Sequence, residues 1–221
     1  MSARKRIVVL GAGGQARETR WTIEELNRIE PTFEFVGYAI SDLAKLTHTD
    51  SKSDVRGDFG WLRSMRTSVD ALALGIGTPA ARLKVARELQ ESFTPEAWPT
   101  LIHPTAIIDR TSVKHGRGVF ISAGVVATVN VVLGDFCMLN FGCTVGHEAS
   151  IGAGSVVNPG ANISGGVELG EGVLVGTGAQ VLQYVRVGAG ATIGAGAVVT
   201  QDVPAGATVV GVPARPLERK P

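Results

Sequence analysis

A six-residue period constrains the fold of this chain more than any other feature of the sequence. Counted from His103, it runs through seventeen consecutive units to Pro204, with aliphatic residues at most first positions and valine or a small residue at most fifth positions. Glycine recurs at the second position, where we expect a sharp corner that needs positive φ. These glycines are Gly134, Gly146, Gly152, Gly170, Gly176, Gly188 and Gly194.

The period predicts a parallel β-helix in which three units form one triangular coil and residues 18 apart stack. First-position side chains then fill the bore, and fifth-position residues, from Ile107 to Val203, point inward beside them. The pattern does not give the hand of the coil, and the general rule for parallel crossovers favours a right-handed one. An inert or adhesive solenoid remains an alternative function for such a repeat.

The 221 residues leave room for two modest domains. A formal net charge of +1, without a basic stripe or an acidic tail, argues against binding to nucleic acid or to a membrane surface. The first apolar run ends at Gly11 and is too short for a signal peptide, and no stretch is long enough to span a bilayer. We therefore expect a cytoplasmic protein without membrane insertion.

The first hundred residues alternate predicted strands and helices, which indicates a small parallel α/β unit. Strands are predicted at 6–10, 33–40, 69–74 and 100–102, helices at 15–30, 59–65 and 78–91, and a polar surface loop at 45–58. After the first strand, Gly11, Gly13 and Ala16 fit the spacing G-x-G-x-x-G/A, which lets a phosphate approach backbone amides at a helix N-terminus. The unit is half of a dinucleotide fold, which suits a nucleotide-sugar better than NAD. A structural turn without a ligand is the alternative.

Two features within the repeat bear on chemistry. Cys137 and Cys143 occupy inward fifth positions on different faces, so they should be small core residues that cannot bridge. His147 stands at an outward third position, where a neutral imidazole is a suitable base, and the carboxylate of Glu148 could hold the imidazolium or raise its basicity. A solvated surface histidine is the alternative reading.

The other histidines have simpler interpretations. His48 lies in the polar loop, His103 should fix the turn at the domain junction, and His115 lies in a degenerate early coil. A zinc lyase would need three histidines with two of them a few residues apart. His103, His115 and His147 provide no such pair, and we expect no metal.

The order of motifs resembles that of the nucleotide-aminosugar N-acetyltransferases of the bacillosamine and perosamine pathways, relatives of the sialic acid O-acetyltransferases. The resemblance rests on the glycine loop, the Leu-Gly-Ile-Gly strand end, Ile102-His103-Pro104, Leu139-Asn140 before His147-Glu148, and the terminal Gly211-Val212-Pro213-Ala214-Arg215. It implies a half-Rossmann domain at 1–102, then a left-handed parallel β-helix with a C-terminal tail at 103–221. It also implies a homotrimer with acetyl-CoA between neighbouring coils, acting in surface glycan biosynthesis such as that of lipopolysaccharide.

Residue roles follow from the same resemblance. The nucleotide would contact Gly14, Gln15 and Ala16, with Gly75 behind the base and Asn140 near the sugar. His147 would accept the proton of a 4-amino group at the subunit seam, and Glu148 would raise its basicity. Thr177, Ala195 and Gly165 would contact acetyl-CoA, and a backbone amide would stabilise the oxyanion. A sugar hydroxyl as acceptor cannot be distinguished from an amine by these residues.

Overall fold

The computed structural model describes residues 3–217. The N-terminal unit contains β1 (Lys5–Leu10), α1 (Gly14–Ile29), β2 (Phe33–Ile40), β3 (Val55–Asp58), α2 (Phe59–Ser64), β4 (Ala71–Leu74) and α3 (Pro79–Gln90). Its four strands form a parallel sheet in the order β3-β2-β1-β4, which confirms the predicted half-Rossmann arrangement.

The polar loop predicted at 45–58 is wrong in its last part. Residues 55–58 form β3, which pairs with β2 at the sheet edge, and only the preceding segment is irregular, with short 3-10 turns at Leu43–Lys45 and Lys52–Asp54. The strand has only four residues, and its buried position, against Trp61, is the glycine Gly57. A short edge strand of this kind shows no clear apolar pattern in the sequence.

The rest of the chain is a triangular left-handed β-helix, called the prism below. Its strands are β5 (Leu101–Ile102), β6 (Ile107–Ile108), β7 (Lys114–His115), β8 (Phe120–Ile121), β9 (Val126–Ala127), β10 (Val132–Leu133), β11 (Met138–Leu139), β12 (Thr144–Val145), β13 (Ser150–Ile151), β14 (Val156–Val157), β15 (Asn162–Ile163), β16 (Glu168–Leu169), β17 (Leu174–Val175), β18 (Gln180–Val181), β19 (Arg186–Val187), β20 (Thr192–Ile193), β21 (Val198–Val199), β22 (Thr208–Val210) and β23 (Arg215–Pro216). Face 1 holds five strands from β7 to β19, face 2 eight strands from β5 to β23, and face 3 six strands from β6 to β21. The resemblance gave the correct hand, whereas the general crossover rule did not.

The six-residue period is not unbroken, because the register shifts at both ends. In the first coil Ile102 pairs with Ile121, and Ile108 pairs with Ala127. These two isoleucines therefore take the first positions of their hexads. The prediction had placed His103 and Asp109 there. One additional residue between β6 and β7 accounts for the shift. The predicted inward position of Ile107 is therefore wrong, and its side chain is 69% exposed.

The last coil is shortened instead. Val203 forms a parallel bridge with Val187, sixteen residues before it, and so takes a first position rather than the predicted fifth. The predicted role of the second-position glycines is also wrong. Positive φ falls at the fourth position, as at Gly154 (φ 65°), whereas at the second position a Cβ on Gly152 would lie 2.3 Å from the carbonyl carbon of Gly170. Second-position glycines therefore let successive coils stack closely.

The N-terminal unit covers face 2 of the prism. The outward side chains of Phe120, Met138 and Val156 are buried beneath it. At one side the Trp21 ring of α1 packs 4.8 Å from the His103 ring, centroid to centroid. Because this contact occupies face 2, faces 1 and 3 are left for other contacts.

Candidate active site

His147 projects from the corner between faces 3 and 1, as its third position predicts. This corner, called the His147 edge, carries Val129, Glu148, Gly165, Leu182 and Tyr184 as well. The His147 side chain is 56% exposed, and its Nδ1 lies 3.4 Å from Glu148 Oε2. This separation is at the long end of the range for a hydrogen bond.

The imidazole lies over the next coil. A Cβ added to Gly165 would lie 2.4 Å from His147 Cε1 and 2.5 Å from Nε2. The neighbouring amide of Gly166 donates to the His147 carbonyl at 2.8 Å, whereas the Gly165 N–H donates to no acceptor within residues 3–217. The edge thus brings together a ring nitrogen, a carboxylate and a free backbone donor.

Backbone strain is concentrated on this edge. Glu148 has φ 62°, and Asn130 and Tyr184, which stack above and below in the same column, have φ 57° and 62°. Most other fourth positions with positive φ are glycine. A non-glycine residue in this conformation costs about 1–3 kcal/mol and is typically retained at functional sites.

The predicted nucleotide loop is assembled at the carboxyl ends of β1 and β4. Gly11 has φ 112°, and a Cβ there would lie 2.6 Å from the Gly75 carbonyl oxygen. A Cβ on Gly75 would lie 2.6 Å from Ala16 Cα, so Gly75 allows close packing of α1 against the sheet. In contrast, a Cβ on Gly13 would lie 3.5 Å from Asp50 Oδ1 and one on Gly14 would lie 3.9 Å from Arg17 Nη2. These are ordinary contact distances to side-chain ends, so packing does not require glycine at either position.

Gln15 adds an unusual feature to this loop. Its Nε2 is buried without a hydrogen-bond partner within residues 3–217. Buried polar groups of this kind are normally satisfied, so the amide is a candidate donor to a ligand at the loop. The structure brings Gly14, Gln15 and Ala16 together at the start of α1, as the spacing predicts.

Asn140 lies on a different corner from His147. The Asn140 edge, between faces 2 and 3, also carries Thr177 and Ala195. The Asn140 side chain is nearly buried in a ladder of amides and hydroxyls, 3.4 Å from both Ser122 Oγ and Asn158 Oδ1. The predicted site residues of the prism therefore lie on two different edges of the same chain. Of the three predicted acetyl-CoA contacts, Gly165 lies beside His147, and the other two lie on the Asn140 edge.

Sequence reasoning missed the apolar groups around His147. Val129 is 48% exposed, Leu182 39% and Tyr184 68%. Tyr184 stands at a corner position that is usually glycine in this chain, with its ring over Gly166. The replacement of glycine by tyrosine was the signal in the sequence for an exposed apolar surface at this corner.

The two cysteines are free and buried in the core, as predicted. Burial raises the pKa of both Cys137 and Cys143 to about 12, so neither thiol is a suitable nucleophile at neutral pH. Within residues 3–217, no group of three or more His, Cys, Asp or Glu side chains is arranged to hold a metal ion. The helices in the same range are all too short or too polar to cross a bilayer.

Comparison with known proteins agrees with this architecture. Residues 166–201 match the family model of the bacterial transferase hexapeptide (six repeats). No curated protein sequence matches the chain.

Several solved structures match nearly the whole chain. The perosamine N-acetyltransferase of Caulobacter crescentus, crystallised as a histidine-to-asparagine mutant with CoA and GDP-perosamine, is 30% identical over 98% of this chain and 99% of its own, with a TM-score of 0.85. The acetyltransferase domain of PglB from Neisseria gonorrhoeae, in complex with acetyl coenzyme A, is 30% identical over 97% of this chain and 100% of its own, with a TM-score of 0.83. WeeI from Acinetobacter baumannii is 27% identical over 96% of this chain and 100% of its own, with a TM-score of 0.82.

Proposed function

Because this chain belongs to the family of nucleotide-aminosugar N-acetyltransferases, we propose that it transfers an acetyl group from acetyl-CoA to the amino group of a nucleotide-linked amino sugar. The observation that carries the proposal is the match of both the α/β unit and the prism to a relative that holds CoA and GDP-perosamine. A match confined to the prism would leave the acceptor open. The glycine loop supports a nucleotide as the part of the acceptor that the α/β unit binds, because packing does not require glycine at Gly13 or Gly14.

In the proposed reaction, the neutral amine attacks the thioester carbonyl carbon directly. The new C–N bond forms as the carbonyl π electrons move to oxygen, and collapse of this intermediate expels the CoA thiolate. His147 accepts the proton that the amine nitrogen loses and can return it to the leaving sulfur. The free N–H of Gly165 beside the imidazole is a suitable donor to the oxyanion.

Replacement of one histidine in the Caulobacter relative, by asparagine and by alanine, gave structures that still hold CoA and GDP-perosamine. The histidine of that relative is therefore not required to hold the two ligands, which leaves a role in proton transfer open to it. We propose that His147 has this role here, with Glu148 stabilising the imidazolium by its charge. No covalent acyl-enzyme is needed, because both thiols are buried.

We further propose that the active unit is a homotrimer. The division of the predicted residues between the His147 edge and the Asn140 edge supports it, since a second chain can bring its Asn140 edge to the first chain's His147 edge. The exposed apolar side chains Val129, Leu182 and Tyr184 provide the surface for that contact. Acetyl-CoA would then lie between neighbouring prisms, with Gly165 from one chain and Thr177 and Ala195 from the other.

The remaining detail of the proposal rests on the family resemblance alone. It gives a 4-amino sugar as acceptor, a cytoplasmic reaction, and a product used in surface glycans such as lipopolysaccharide. The nucleotide is left to experiment.

The test is a transfer assay with purified protein, acetyl-CoA and GDP-, UDP- and dTDP-linked 4-amino sugars. Release of the CoA thiol and the mass of the acetylated product are followed together. The matched controls are the same nucleotide sugars with a 4-hydroxyl group. We expect transfer to an amine and none to the hydroxyl controls. Acetylation of the hydroxyl sugars would indicate an O-acetyltransferase, and thiol release without an acceptor product would contradict the proposal.

A further inference from the structure

Arg82 is a buried cation without a carboxylate partner. It is the fourth residue of α3, and its side chain is fully buried between the N-terminal unit and the prism. Nε donates to the Phe136 carbonyl at 3.0 Å, and Nη1 donates to the carbonyls of Leu74 at 3.2 Å and Ile76 at 2.7 Å. Nη2 has no hydrogen-bond partner within residues 3–217.

Such a residue is costly. A buried charge without an opposite charge is stabilised only by its hydrogen bonds, and burial lowers the pKa of Arg82 to about 10. An apolar side chain of similar size would fill the same space without this cost. The contacts that the guanidinium makes, rather than its packing, therefore account for an arginine at this position.

Those contacts join α3 to two other segments of the chain, the end of β4 with its following turn and the prism. Leu74 ends β4, Ile76 lies in the turn that follows it, and Phe136 belongs to a corner of the prism. The turn at Ile76 forms one wall of the glycine loop, because the Gly75 carbonyl oxygen lies 2.6 Å from where a Cβ on Gly11 would stand. Arg82 thus fixes the wall of the loop to the prism through one planar group.

The prism side of the joint is also specialised. Phe136 has φ 59° although its position is usually glycine, and its ring packs edge-on against Trp98 with centroids 5.1 Å apart. The Phe136 side chain is 2% exposed. Packing of the Phe136 ring stabilises this strained corner, in which the Phe136 carbonyl accepts the hydrogen bond from Arg82.

We propose that Arg82 is a positioning residue for the transfer reaction, because it sets the distance between the nucleotide-binding turn and the prism that carries the acetyl group. This inference rests on the proposed function. A small displacement of bound substrates lowers the rate strongly, since the reacting atoms must lie about 3–3.5 Å apart. Arg82 contacts neither reacting group and acts through the Ile76 carbonyl and the Phe136 carbonyl.

The variants are Arg82→Met, which keeps the length and removes every donor, and Arg82→Lys, which keeps the charge and one donor group. The matched control is Arg87→Met, which removes an exposed ion pair between the same helix and Glu171 of the prism. For Arg82→Met we expect KM for the nucleotide-sugar to rise about tenfold and kcat to fall about tenfold or more, with KM for acetyl-CoA within about twofold of wild type. Arg82→Lys should recover part of both losses, and Arg87→Met should match wild type.

Amide hydrogen exchange gives a readout that needs no activity. The Gly75 amide, which donates to the Leu10 carbonyl at 2.9 Å, should exchange faster in Arg82→Met and not in Arg87→Met, with the bore amides unchanged. If Arg82→Met does not fold, Arg82→Lys carries both measurements. Equal changes in the two KM values, or unchanged exchange of the Gly75 amide, would overturn the inference. An inactive wild-type protein would instead contradict the proposed function and leave the exchange result to decide on Arg82.

Discussion

The imidazole of His147 lies directly over Gly165 of the next coil, so that a single Cβ on Gly165 would come within 2.4 Å of the ring. The nearest atoms to that Cβ all belong to the His147 side chain, not to the backbone. Gly165 therefore controls where the imidazole lies. A side chain at this position would move the His147 ring without disturbing the backbone, so it would affect the proposed chemistry and not the stability of the prism.

The first prediction concerns this contact. Gly165→Ala should displace the imidazole and leave the prism folded, whereas Gly146→Ala should destabilise it, because its Cβ would lie 2.7 Å from the Gly165 amide nitrogen. Turnover of Gly165→Ala should approach that of His147→Ala, which we expect to fall about a hundred- to ten-thousand-fold. Thermal unfolding and kcat are measured for all three. A Gly165→Ala protein with wild-type turnover would contradict the role of the imidazole as proton acceptor.

The second prediction uses the strain at Glu148. Glu148→Gly should raise the free energy of unfolding by about 1 kcal/mol, because glycine adopts φ 62° without steric cost. The same change should lower turnover, since the carboxylate beside His147 is lost. Glu148→Gln keeps the backbone strain and removes the charge, so it should lower turnover without the gain in stability. Urea unfolding and steady-state kinetics of the two variants separate the effects. A Glu148→Gly protein with full activity would exclude a function for the carboxylate.

The third prediction concerns the glycine loop. Gly14→Val should fold normally, because an added Cβ meets no atom closer than 3.9 Å, but its side chain would stand where a phosphate approaches the backbone. We expect KM for the nucleotide-sugar to rise about tenfold or more while KM for acetyl-CoA stays unchanged. Gly57→Ala is the control for a structural glycine outside the loop, because its Cβ would lie 2.5 Å from Trp61 Cβ, and it should mainly lower the melting temperature. Equal effects of Gly14→Val on both KM values would indicate a loop without a nucleotide.

Sequence reasoning was most accurate where one local rule decides the structure. The hexad gave the prism from β7 to β21 because every coil there repeats the same inward and outward pattern. The hexad failed at both ends of the prism, near His103 and Val203. The register changes once at each end, and a strict six-residue period cannot predict such a change. It also misassigned positive φ, because stacking and corner strain both select glycine, and composition alone does not separate the two causes.

The candidate site was partly accessible from sequence. The outward position of His147 followed from the period, and the start of α1 followed from the glycine spacing. The separation of Asn140 from His147 also follows from the period, because the two residues lie in consecutive hexads and consecutive hexads end at different corners of the coil. The role of Arg82 depends on how the two units dock. Its contact with Phe136 joins residues 54 positions apart, so no local pattern in the sequence reports it.

The fourth prediction concerns the thiols. Since the pKa of Cys137 and of Cys143 is raised to about 12, only about one thiol in ten thousand is ionised at pH 8 in the folded protein. Iodoacetamide at pH 8 should therefore leave the mass and the activity of the native protein unchanged. The same reagent in denaturant should add two groups, which serves as the control. Loss of activity with modification of the native protein would favour a covalent acyl-enzyme.

The last prediction tests the proposed homotrimer. Leu182→Glu introduces a charge among the exposed apolar side chains of the His147 edge. If that edge forms the proposed subunit interface, the change should dissociate the subunits, because burial of an unpaired carboxylate at an interface is costly. Ile29→Glu is the matched control, since Ile29 is 76% exposed at the end of α1, away from this edge. Sedimentation velocity and turnover are measured at the same protein concentration. We expect Leu182→Glu to be monomeric and inactive but folded, and Ile29→Glu to remain trimeric and active. An active monomer would contradict the proposal, because it would mean that one chain forms the whole site. The His147 edge and the Asn140 edge of one chain lie at different corners of the prism, so we do not expect this result.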